Sequence, residues 1–199
     1  MINHSNTLRF RLPLIAQLPP LHTVSGWRLG WMVIPEYLID PINTLQQNMF
    51  INAPTISQTA ALQCWEDDTI EILEQHVEKY KQSRSIILTA LETLESDIHK
   101  AIIAPSDGGF YIYVDVGDAN VALPDMGTVA MCETLLEEKY VAFTPGNDFE
   151  DPNSNLGNRR FRISYAGGVN TVKQAMDRFL EFWPTWIDRV HQAKQSSGE

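Results

Sequence analysis

Asn158-Arg159-Arg160-Phe161-Arg162-Ile163-Ser164-Tyr165-Ala166 alternates polar and apolar side chains, the period of a strand with one face in a core. Arg160, Arg162 and Ser164 fall on one face, and Phe161, Ile163 and Tyr165 on the other. An arginine this far into a strand is costly to bury unless something anionic meets it. A carboxylate gripped by two parallel hydrogen bonds suits the planar guanidinium fork. A buried ion pair with an Asp or Glu of the same chain is the plain alternative for Arg162. Arg159 and Arg160 read as solvated edge charges or loop anchors.

Outward from this strand, the pattern is mixed. Towards the C-terminus the spacing predicts an amphipathic helix capped by Asn170, with Val172, Ala175, Met176, Phe179 and Leu180 inward, broken near Pro184, and a frayed tail over 192–199. Towards the N-terminus, Phe110 to Val116 alternates, with Phe110, Ile112, Val114 and Val116 on one face and Tyr111, Tyr113 and Asp115 on the other. Thr128 to Lys139 reads as a helix, Val141 to Thr144 as a short strand, Pro145-Gly146 as a turn, and Asp148 to Asn158 as a polar loop.

Before these, Ile70, Leu73, Val77, Tyr80, Ile87, Leu91, Leu94 and Ile98 recur three and four residues apart, with Arg84 the break in the stripe. A helix of about 30 residues is about 45 Å long, more than one small domain needs, so residues 67–98 are expected to join two lobes. A coiled-coil dimerisation helix is the alternative. Ile56 to Trp65 reads as a helix, and Asp40-Pro41 as the start of another. Trp27 to Ile34 has the near-continuous apolar character of a strand buried on both faces of a parallel sheet. Residues 1–24 show no sustained period and are expected to be poorly ordered.

The 199 residues carry a net charge of -10, where nucleic-acid phosphates or an anionic membrane call for a basic surface. Neither partner is expected. No apolar stretch reaches the roughly 18 residues of a membrane-spanning helix. Cys64 and Cys132 lack metal-ligand spacing, and free thiols in a reducing cytoplasm are expected.

Two stretches carry a resemblance. Val24-Ser25-Gly26-Trp27-Arg28-Leu29-Gly30-Trp31 resembles the segment just after the cofactor lysine in class I and II aminotransferases, the fold-type I enzymes that depend on pyridoxal 5'-phosphate (PLP). The strand around Arg162 resembles the one that carries their substrate-binding arginine. Gly108-Gly109-Phe110-Tyr111, the run Val141 to Gly146 with Phe149, and Asn52-Ala53-Pro54 with Ser57, Gln58 and Ala60 are similar to further family segments in the right order.

The resemblance implies an α/β chain: the end of the PLP large domain over 25–66, a long linking helix over 67–98, and an α+β small domain over 99–191. It implies that Arg28 meets the cofactor phosphate, as a permanently charged fork of donors can, and that Arg162 holds the carboxylate of an amino acid or 2-oxo acid. An ordinary carboxylate partner, or solvation at a strand end, is the alternative for Arg28. Amino-group transfer in a cytoplasmic homodimer is the implied activity.

One departure bears on catalysis. The family's chemistry starts when a lysine amine attacks the PLP aldehyde, and family spacing puts that lysine at Pro20. Proline has no amine to offer. The expectation is a truncated gene, a frame shift or a mis-called start, giving a chain catalytically inert by itself, with a non-catalytic dimerisation or interaction protein as the rival reading.

Overall fold

The computed structural model describes residues 14–17, 28–94, 106–117 and 126–197. The chain divides into two units, Met1–Val77 and Glu78–Glu199.

In the first unit, β1 (Leu14–Gln17) pairs antiparallel with β2 (Gly30–Val33), from Leu14 opposite Val33 to Gln17 opposite Gly30. Two expectations change here. Part of the segment expected to be poorly ordered forms a strand; the rest of residues 1–24, Pro20 included, lies outside the described residues. Within the expected run, the described strand Gly30–Val33 is not a parallel strand buried on both faces: its described partner is antiparallel, and Met32 and Val33 are 44% and 57% exposed. An unbroken apolar run records a preference for burial but not the direction of the neighbouring strand.

A 3-10 turn (Glu36–Leu38) leads into α1 (Ile39–Met49), with Pro41 in its first turn, where a missing amide leaves no intrahelical bond unmade. Then α2 (Thr55–Ala61) runs on as a 3-10 turn over Leu62–Trp65.

The long helix α3 (Asp67–Glu92) contains the boundary between the units. Of the stripe, Leu73, Ile87, Leu91 and Leu94 are buried, while Ile70 is exposed and Ile98 lies outside the described residues. The break at Arg84 has a local cause. Ser83 occupies the buried position, and Arg84 turns aside to donate to Ser106 Oγ at 2.7 Å, with Asp107 at 3.7 Å.

The second unit is built on a three-stranded antiparallel sheet of order β3-β5-β4, comprising β3 (Tyr111–Asp115), β4 (Thr144–Pro145) and β5 (Arg160–Ser164). Its apolar face, Ile112, Val114, Phe161 and Ile163, is buried with residues of α4 (Thr128–Lys139) and α5 (Val169–Ser197). Phe143 stacks on Phe161, Phe179 packs edge-on to both, and Trp183 continues the row.

Helix α4 has the limits the sequence predicts. The strand expected over Val141–Thr144 is displaced: Val141 goes into the core, and only Thr144–Pro145 pairs, at an edge where a residue without an amide is tolerated.

Helix α5 starts at Val169, with the Val172 amide bonded to Gly168 O, and it is not broken at Pro184. It also reaches Ser197, into the expected tail. A proline inside a helix costs about 3 kcal/mol. Here Phe182, Trp183, Trp186 and Ile187 flank it and are buried, each contributing about 1.5–3 kcal/mol, so burial outweighs the local defect. Cys64 and Cys132 are both buried.

Candidate functional site

The outer face of the second unit's sheet carries the polar half of each alternation. Cross-strand register puts Tyr113 and Thr144 on either side of Arg162, Tyr111 opposite Ser164, and Asp115 opposite Arg160. The guanidinium of Arg162 lies 4.2 Å from the Tyr111 ring centroid and 4.4 Å from that of Phe149. Both rings are within cation–π distance, so their attraction restricts how the guanidinium can turn. Among the described residues no Asp or Glu forms an ion pair with Arg162. The ion-pair alternative for this residue therefore finds no support there.

Arg160 behaves differently. Its Nε donates to Asp115 at 2.9 Å and its Nη1 to Glu150 at 2.8 Å, while Arg159 Nε reaches Asp115 at 3.1 Å. Neither is a solvated edge charge: their side chains are 17% and 26% exposed. They are anchors, because carboxylates on the facing strand and the neighbouring loop meet them.

Tyr113 Oη also donates to Glu150, at 2.9 Å. Donation from Arg160, and then from Tyr113, holds the Glu150 carboxyl below the usual range. The Tyr113 hydroxyl is pushed up to about 12, by burial first and then by its bond to Glu150.

The loop that brings Phe149 and Glu150 to this face is a 3-10 turn over Gly146–Asp148, in which Gly146 O accepts from both Phe149 and Glu150 amides. Gly146 has to be glycine, since a Cβ there would lie 2.6 Å from Arg160 O. This gives the Pro145-Gly146 signature a physical basis. Tyr111, Tyr113 and Asp115 could be placed on this face by period alone. Glu150 could not: it sits in an aperiodic polar loop, and nothing local distinguishes it from Asp148 or Asp151.

A family model described as aminotransferase class I and II matches residues 22–179. The chain belongs to the class I and II aminotransferase family. Among curated aminotransferases, it is 31% identical to the (5-formylfuran-3-yl)methyl phosphate transaminase of Methanocaldococcus jannaschii, over 85% of this chain and 41% of that one. It is also 31% identical to the valine–pyruvate aminotransferase of Mycobacterium tuberculosis, over 82% and 39%.

Among solved structures, an aminotransferase from Mycobacterium tuberculosis superposes with a TM-score of 0.67 at 29% identity, over 83% of this chain and 40% of that one. A Methanococcus jannaschii protein, described as similar in its active site to kynurenine aminotransferases, gives 0.69 at 30% identity, over 86% and 42%. The chain thus spans about two fifths of the length of the aminotransferases it matches, and its mixed α/β fold corresponds to part of a fold-type I aminotransferase.

Aminotransferases of this family use PLP. In this chain, Arg28 is exposed and stands at φ 52, a left-handed conformation uncommon for a side-chain-bearing residue, two residues before β2. Its chemistry suits a phosphate ester. The first lysine of the sequence is Lys79, on α3 and outside the segment that resembles the cofactor site. The described residues therefore hold a guanidinium of suitable chemistry but no lysine in the segment that resembles the cofactor site, and by themselves they do not make up a PLP site. Arg28 lies in the first unit and Arg162 in the second. No described helix is long and apolar enough to cross a membrane.

Proposed function

We propose that Arg162 grips the carboxylate of an amino acid or 2-oxo acid in an aminotransferase reaction, and that Arg28 serves the phosphate of PLP in the complete site. The observation that carries this is an arginine on a sheet face, flanked by two rings, without a carboxylate partner among the described residues of an aminotransferase-family chain. On this reading residues 25–66 end the PLP-binding large domain, 67–98 link the domains, and 99–191 form the small domain. The working protein is a cytoplasmic homodimer.

Pro20 occupies the lysine's place by family spacing, so the chain alone is expected to be catalytically inert. Titrating 2-oxoglutarate into the purified chain tests the Arg162 role by calorimetry. Saturable binding that disappears in Arg162→Gln supports it, and binding equal in both proteins overturns it. Adding PLP and an amino acid, then borohydride, tests inertness: product formation, or PLP trapped on a lysine, defeats it.

Proline at the lysine position also favours a second reading, a non-catalytic dimerisation protein. A defined mixed dimer with a full-length aminotransferase, without cofactor trapped on this chain, is its signature.

A further inference from the structure

Phe149 is a loop residue, yet its ring lies 4.4 Å from the Arg162 guanidinium. Something has to hold the loop there, because an exposed phenylalanine at a loop tip otherwise samples many rotamers. The neighbouring residue supplies the anchor. Glu150 Oε1 accepts from Arg160 Nη1 at 2.8 Å and from Tyr113 Oη at 2.9 Å. Both donors stand on the face that carries Arg162: Arg160 is two residues before it on β5, and Tyr113 is its register partner on β3. The Tyr113 ring also meets Phe149 edge-on, at 6.0 Å and 89°. Asp115 fixes Arg160 from the other side.

We propose that Glu150 is a positioning residue: clamped by Tyr113 and Arg160, it seats Phe149 against Arg162 and thereby fixes the donor edge that the guanidinium presents to a carboxylate. The last clause rests on the carboxylate-binding role of Arg162; the seating does not. Two rings within cation–π distance restrict the rotation of a guanidinium, and a planar carboxylate needs its donor fork held in one orientation. A preformed donor edge binds more tightly than one that has to be ordered on binding. Glu150 touches no ligand in this scheme. Its effect passes through the loop to Phe149, and from that ring to Arg162.

The test uses the full chain labelled with 15N, with the Arg162 Nε–Hε peak assigned by its loss in Arg162→Lys and acetate as the probe. In the wild type the Hε resonance is expected upfield of free arginine, from the ring currents of Tyr111 and Phe149, and it titrates saturably with acetate. Glu150→Ala and Tyr113→Phe are both expected to move the peak back towards free arginine and to weaken the acetate response several-fold. Tyr113→Phe keeps the ring against Phe149 and removes only the hydroxyl, so it guards against a general loss of fold. Arg189→Gln, which breaks the two-bond contact to Glu138, is expected to change neither reading.

If both clamp variants leave the Arg162 peak and the acetate affinity as in the wild type, or if Arg189→Gln shifts them as much, the positioning role is overturned. If the clamp variants move the peak while acetate binds none of the proteins, the seating stands and the carboxylate role of Arg162 falls.

Discussion

Gly146 and Arg160 are in such close approach that a Cβ on the glycine would lie 2.6 Å from the arginine's carbonyl oxygen and 2.8 Å from its Cβ. Both opposing atoms are near or on the main chain of β5, so neither can swing away. Gly146→Ala is expected to cost about 1–3 kcal/mol, the usual range for overpacking. Gly108→Ala, at a position with nothing within 4 Å, is expected to stay within about 0.5 kcal/mol. Urea midpoints of the two variants measure the contrast.

Arg162→Gln is expected to separate binding from folding. It removes two cation–π contacts, worth about 0.5–1 kcal/mol each at partly exposed sites. The variant should therefore fold, with a melting temperature a few degrees lower, and lose calorimetric 2-oxoglutarate binding. Unchanged binding would remove the residue from the site.

Glu150 gives stability an acid dependence of known sign. Its carboxyl is held below the ordinary value of 4.5, first by Arg160 and then by Tyr113, so the folded state binds this proton less readily than the unfolded state. The contribution is fully present above pH 4.5 and is lost as pH falls through the lower folded value. Glu150→Gln should flatten the wild-type decline in urea stability in that acid range. Tyr113 acts at the other end: with its folded value raised to about 12 from 10.0, its contribution holds below pH 10 and is lost as pH rises towards 12. Tyr113→Phe should lessen the alkaline decline, to which the raised Cys132 and Tyr165 also contribute.

Trp183 is fully buried, and its indole Nε1 has no hydrogen-bond partner among the described residues. Truncation to alanine empties a large volume and should cost about 3–5 kcal/mol. Trp183→Phe loses less packing and deletes a buried unpaired donor that itself costs about 1–3 kcal/mol. Chemical denaturation should therefore rank Phe close to the wild type and Ala far below it.

Burial, with smaller contributions from Glu133 and Asp148, raises the Cys132 thiol to about 12. At pH 8 almost no thiolate is present in the folded chain, and thiolate is the nucleophile. Iodoacetamide should alkylate Cys132 only at the rate at which the second unit opens, a rate that rises with added urea. Rapid labelling without denaturant would contradict the burial.

Much of the second unit was legible because period and burial coincide there. The alternations through Ile112 and Phe161 mark the core face of β3 and β5, and Thr128 to Lys139 marks α4 to the residue. Arg162 stands out because a charge in the middle of a strand needs a reason. What escaped was set by contacts distant in sequence. Pro184 reads as a helix break until Phe182, Trp183 and Trp186 are seen to be buried around it. The apolar run before Pro35 carries no sign of its antiparallel partner, Leu14–Gln17. Glu150 has no local signal, because its role depends on donors from two other segments.

Strand β5 comes last of the three in the sequence and lies in the middle of the sheet, with Asp115 and Arg160 separated by 45 positions. Until residue 164 has left the ribosome, β3 and β4 lack the described strand they pair with, and closing so long a loop is slow. Arg162 thus acquires its cross-strand neighbours only once β5 itself has emerged. A nascent chain stalled before β5 would leave β3 and β4 without the strand that joins them in this sheet.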